Sequence, residues 1–174
     1  DIIPGQKNLP IFGETSSIPL LQNGVSGEAM TSTLSNNLNS YWLLIPVTYP
    51  TNKLFAYKID NSGLINSPIT STLDFLANTH GPVTGVVNQT HIRINQSLRT
   101  GLRLLSISKN YSNYQTKIYN FDCSTGTINS LIGECNDCNT YSSEFNGDLL
   151  YLASHSNGLN VINTVNGAFR QITN

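Results

Sequence analysis

Apolar positions in this chain come in short stretches separated by clusters of Gly, Asn, Asp, Ser and Pro, which predicts an all-β protein. Within the stretch 53–60, Leu54, Ala56 and Lys58 fall on one face of a strand while Phe55, Tyr57 and Ile59 fall on the other. The most continuously apolar stretches each contain a Leu-Leu pair: Leu43-Leu44, Leu104-Leu105 and Leu149-Leu150. Such runs suit strands buried on both faces. Helical periodicity is hard to find. The best candidate, Ser71 to Ala77, is short and closely followed by Gly81-Pro82, so it reads as at most a turn.

The pattern repeats. Tyr57 to Ile69 (Y-K-I-D-N-S-G-L-I-N-S-P-I), Tyr119 to Ile132 (Y-N-F-D-C-S-T-G-T-I-N-S-L-I) and Val161 to Ile172 (V-I-N-T-V-N-G-A-F-R-Q-I) each read as strand, turn ending in Gly, strand. Leu43 to Gly63, Leu104 to Gly126 and Leu149 to Gly167 span 20, 22 and 18 residues. The first unit is expected to use strands over 28–34, 41–47, 53–60 and 64–73. The second is expected at 91–98, 102–109, 116–122 and 127–132, and the third at 140–145, 148–154, 158–163 and 168–173. Pro68 donates no ladder hydrogen bond, which places the last strand of its unit at an edge. In the turns, Asp60 and Asp122 can bond forward to backbone amides, and the Gly accepts positive φ.

Four-stranded units at roughly 40 to 50 residues are the blades of a β-propeller. The expected blades are 26–78, 79–133 and 134–174, with residues 1–25 as a lead-in arm or a partial outer strand. Extra chain between the first two units, from Asp74 to Gln89, predicts a long loop on one rim. Three blades fall short of the four to eight that typically close a propeller. The chain is therefore read as a fragment of a larger propeller, the other reading being that its missing blades come from a partner or a second copy. Its start, Asp1-Ile2-Ile3-Pro4 without Met, reads as a processed or excised piece.

Several segments carry a family resemblance. They are Tyr41-Trp42-Leu43-Leu44 leading to Lys53 through Ile59, Ile118-Tyr119-Asn120-Phe121-Asp122 with Ser124-Thr125-Gly126, and Tyr141 through Phe145 leading to Leu149-Leu150-Tyr151. Over residues 26 to 174 they resemble the WD-like propeller repeats of large secreted surface proteins in gliding Bacteroidetes, linked to type IX secretion. The resemblance implies a propeller fold and a secreted or cell-surface location, and it carries no catalytic signature to any position here. The Ser-Pro-Asp/Asn-Gly turn frequent in that family is reduced to Asn146-Gly147 in the third unit and Arg99-Thr100-Gly101 in the second.

Composition narrows the partners. Only 11% of residues are charged and the formal net charge is −1, which argues against a nucleic-acid face or a polybasic membrane anchor. No apolar run approaches the roughly 18 to 20 residues of a spanning helix. Cys135 and Cys138 form a C-x-x-C with Cys123 upstream. No second ligand pair completes a zinc site and no strand-to-helix context supports a redox motif, so a disulfide or free thiols is the expectation. Asn88, Asn95 and Asn110 begin glycosylation-type triplets, which arise easily in an Asn- and Ser-rich chain.

Chemistry-bearing residues are sparse. The candidate ligand-contacting residues are His155 at a strand-to-loop junction, His80 in the long loop, and Tyr111 and Tyr114 in the loop 110–115. His155 with Asp148 or Glu144 could hold a metal or polar ligand, but no partner at i+3 or i+4 supports this, and a hydrogen-bonded turn histidine is the plainer account. Trp42 adjoins a core strand and suits packing between blades. The ten carboxylates show no acid/base spacing, and no nucleophile elbow or phosphate-cradling loop appears. No catalytic residue, metal or cofactor is assigned. The expected function is a non-catalytic propeller scaffold contacting protein or glycan. The alternative is part of a lactonase-, glycosidase- or lyase-type enzyme acting from the central channel.

Overall fold

The structure, a computed structural model, describes residues 29–47, 52–65, 67–73, 76, 90–96, 102–109, 114–154 and 158–172. Those residues form strands without an α-helix, arranged as three antiparallel sheets. The first contains β1 (Thr31–Leu34), β2 (Tyr41–Val47), β3 (Lys53–Asp60), β4 (Gly63–Leu64) and β5 (Ile69–Thr72). The second contains β6 (Thr90–Ile94), β7 (Leu102–Lys109), β8 (Gln115–Asp122) and β9 (Thr127–Asn136). The third contains β10 (Thr140–Asn146), β11 (Leu149–Ser154), β12 (Gly158–Asn163) and β13 (Phe169–Ile172).

Each sheet is a meander in chain order. In the first, β4 and β5 both pair with β3, so they are two pieces of one outer strand. The interruption contains Pro68, whose missing N–H is tolerated at that edge. The outer strand of the second sheet, β9, runs to Asn136, beyond the expected end, and carries two bulges opposite β8. Bulges twist an exposed edge away from further pairing.

The sheets stack like spokes. Inner strand β6 packs beside both β1 and β10, while outer strands β5 and β9 touch at the periphery. The second strand of each sheet carries the core, and β7 is buried at six successive positions. Blades one and two meet through Trp42, Leu44, Leu54 and Ala56 against Ile92, Leu105, Ile107 and Phe121. Blades two and three meet through Leu104 and Ile118 against Leu150, Leu152 and Ile162.

All three hairpin turns use one device. The Asp60 carboxylate accepts from the Ser62 amide at 2.8 Å, Asp122 from the Ser124 amide at 2.7 Å, and the Asn163 side-chain carbonyl from the Val165 amide at 2.9 Å. The Ser62 and Ser124 hydroxyls add a second bond, and each carboxyl is held below its ordinary value chiefly by that hydroxyl.

Anchored on these turns, the register corrects one expectation. Opposite the residue preceding the turn's Asp or Asn lie Tyr41, Arg103 and Leu150. The true equivalents are therefore Trp42, Leu104 and Tyr151, then Leu43, Leu105 and Leu152. The Leu-Leu pairs slide along their strands from blade to blade, and the hairpin between Leu150 and Ile162 is shorter than that between Tyr41 and Ile59, so their distances to the turn glycine differ. A one-residue slide reverses the face: Leu44 points to the following blade and Leu105 to the preceding one.

Candidate functional site

Two polar regions stand out among the described residues: the seams near the propeller axis and a cleft on one rim. Near the axis, blade two reaches into both neighbours. Gln96, just past β6, donates from Nε2 to the Ser32 carbonyl on β1 at 3.2 Å, and buried Arg103 donates to Gln96. On the other side His91 Nε2 accepts the Ser143 amide of β10 at 3.0 Å, and Asn95 Nδ2 donates to the Gly147 carbonyl at 3.0 Å. Arg93 forms an ion pair with Glu144, both partly exposed. Innermost strands present unpaired backbone groups, and His91 and Gln96 satisfy one on each neighbour.

Burial is the largest influence on the His91 imidazole and pushes it below its ordinary value of 6.5. A nitrogen that accepts an amide proton must itself be unprotonated, so the geometry also selects the neutral ring.

The seam between blades two and three continues outward in hydroxyls. Ser108 and Thr116 bond at 2.9 Å, Thr116 donates to Thr140 at 3.2 Å, and Thr140 donates to the Cys138 carbonyl at 3.3 Å. A disulfide joins Cys135 to Cys138 across the β9–β10 crossover, with Asp137 between them at φ 64°. Cys123 is buried as a free thiol whose ionisation burial pushes up, which makes it a poor nucleophile.

The rim cleft lies on blade one, where the β1–β2 and β3–β4 turns face each other. It has a volume of about 350 Å³ and is lined by Asn37, Asn39, Ser40, Lys58, Asp60, Asn61 and Ser62. Asn37 Oδ1 organises one wall by accepting the Asn39 amide at 3.1 Å and the Ser40 hydroxyl at 3.2 Å. Beneath it, the Lys58 ammonium sits 5.8 Å from the Trp42 ring centroid. In the same turn Leu38 adopts φ 58° with its side chain 63% exposed. A bulky apolar residue in the left-handed region is strained, and such strain tends to collect at functional positions.

No protein-family model matches the chain, and no curated protein matches it. Among solved structures it is similar to a chain described as a candidate 6-phosphogluconolactonase from Bacteroides uniformis ATCC 8492, with a TM-score of 0.53 and 20% identity. The likeness covers 80% of this chain and 38% of that one. At that identity it speaks to architecture alone. The fold is that of a β-propeller, of which the described residues form three blades.

The positions singled out from the sequence fare unevenly. Tyr114 is partly exposed beside the blade-two rim, its carbonyl accepting the Asp137 amide at 2.7 Å. His80, Tyr111 and His155 lie outside the described residues, as do residues 1–28. Trp42 is buried between blades, its Nε1 donating to the Cys123 carbonyl at 2.9 Å. The cleft residues and His91 were missed. The only signal for the cleft was the density of Asn and Ser at 35–40 and 60–62, which also describes ordinary turns.

Proposed function

We propose that this chain is a non-catalytic β-propeller module that contacts a neutral glycan through the rim cleft of blade one. The observation that carries the reading is the lining of that cleft: side-chain amides and hydroxyls from two facing turns, with one cation and one carboxylate. Such groups pair with the vicinal hydroxyls of a sugar, each needing both donors and acceptors. Exposed Leu38 at the lip offers an apolar contact for a ring face. A secreted or cell-surface bacterial setting accompanies this reading, supported by the Cys135–Cys138 disulfide, which persists in oxidising compartments. The link to type IX secretion rests on the repeat resemblance.

The test is saturation-transfer NMR with a panel of neutral oligosaccharides. Transfer should appear for at least one and fall at least tenfold in affinity in Asn61→Ala and Lys58→Ala, which leave the turn bonds intact. A folded protein that binds none, or binds equally well in both variants, overturns it.

The enzyme reading, a lactonase-, glycosidase- or lyase-type propeller working from its channel, would draw on His91, Arg93 and Glu144, supplied by two blades near the axis. The same groups already hold the seam: His91 engages the β10 edge and Arg93 engages Glu144. That commitment favours the binding module.

A further inference from the structure

Each blade turns one face toward the blade that follows it. In blade one that face includes Trp42, Leu44 and Ala56, and in blade two the equivalent residues are Leu104, Ser106 and Ile118. All six are buried, the most accessible being Leu104 at 5%. In blade three the equivalents are Tyr151, Ala153 and Leu159. Leu159 is 37% exposed. Tyr151 and Ala153 are only half-buried. The same register position is thus sealed twice and open once.

We propose that this face of blade three seats a further blade of the same propeller, a four-stranded sheet whose second strand turns an apolar i, i+2 pair toward it. That is the pairing in both seams present, where Leu105 with Ile107 meets blade one and Leu150 with Leu152 meets blade two. Continuity with those seams specifies the occupant. The solved propeller, of which this chain matches 38%, is long enough to hold such blades. A second copy docking head to tail would have to offer the outer face of its blade one. There Ile45, Phe55 and Tyr57 are already buried, at 9%, 6% and 1% exposed. The inference is independent of the rim cleft, so loss of glycan binding leaves it standing.

Thiol labelling tests it. Leu159→Cys is compared with Leu131→Cys on β9, a position 48% exposed and outside the proposed contact. In the 174-residue chain at low concentration both should label rapidly. In the protein as produced by its native host, Leu159→Cys should label at least tenfold more slowly than Leu131→Cys. Equal rates in the native protein overturn the proposal. Protection that appears in the 174-residue chain as its concentration rises, with a doubled mass, overturns it in favour of a second copy.

Discussion

The two blade seams are built from different materials. Between blades one and two the contact is a continuous apolar cluster into which Trp42 is wedged, against Phe121 and the turn at Gly126, with buried Arg103 and its bond to Gln96 as the polar exception. Between blades two and three the apolar cluster is smaller and is flanked by His91, by the Ser108–Thr116–Thr140 hydroxyls and by a disulfide. Three buried polar groups there, Ser106 Oγ, Ser143 Oγ and Asn160 Nδ2, find no partner among the described residues. Apolar contact supplies most of the free energy of burial, while hydrogen-bonded groups contribute less on balance and penalise misalignment heavily. The first seam therefore governs stability, and the second governs alignment and carries the sensitivity to pH and redox state.

The largest expected effect falls on the first seam. Trp42→Ala removes the wedge and the bond to the Cys123 carbonyl, and should cost about 3–5 kcal/mol in denaturant unfolding. Leu104→Ala, the equivalent position in the second seam, should cost about 2–3 kcal/mol. Equal losses would erase the contrast.

Next comes the turn that receives the wedge. A Cβ on Gly126 would lie 2.7 Å from the Trp42 ring, and the residue sits at φ 79°. Gly63, the blade-one turn glycine, has φ 106° and open space around it. Gly63→Ala should cost about 1 kcal/mol, the backbone term alone, and Gly126→Ala roughly 2 kcal/mol more because the ring must shift. Thermal melts of the two variants decide this. The Cys135–Cys138 disulfide, which closes a short loop, should contribute about 2 kcal/mol. Reduction should lower the melting temperature while leaving Trp42 fluorescence, a reporter of the first seam, native-like before the transition.

The sequence announced the repeating frame because its signals are local. Asp60 and Asp122 cap their turns through bonds spanning two residues, and the alternation across 53–60 needs only the pleat. The Leu-Leu pairs misled on equivalence because hydrophobicity reports that a strand is buried without reporting which face a residue takes. The bonds across the seams were beyond reach for the opposite reason. His91 is joined to Ser143 across 52 residues, so its role is not written nearby, whereas Trp42 was legible as a residue packed between blades and only its bond to Cys123, 81 residues away, was not. The cleft is equally non-local, made when two ordinary-looking turns come face to face.

The asymmetry between the seams is tested most directly by amide hydrogen exchange at pH 7.5 and pH 5.5, expressed as protection factors. The folded protein holds His91 neutral, so its proton affinity is lower than in the unfolded chain, whose value is near 6.5. The unfolded or opened state then binds more protons as pH falls, and the stabilisation present above 6.5 is lost below it. Protection in β10 to β12 should fall at pH 5.5 while β2 and β3 keep theirs, and His91→Gln, which retains an acceptor for the Ser143 amide, should remove the difference. An equal fall in both blades, or a fall in β2 and β3 alone, would contradict the asymmetry.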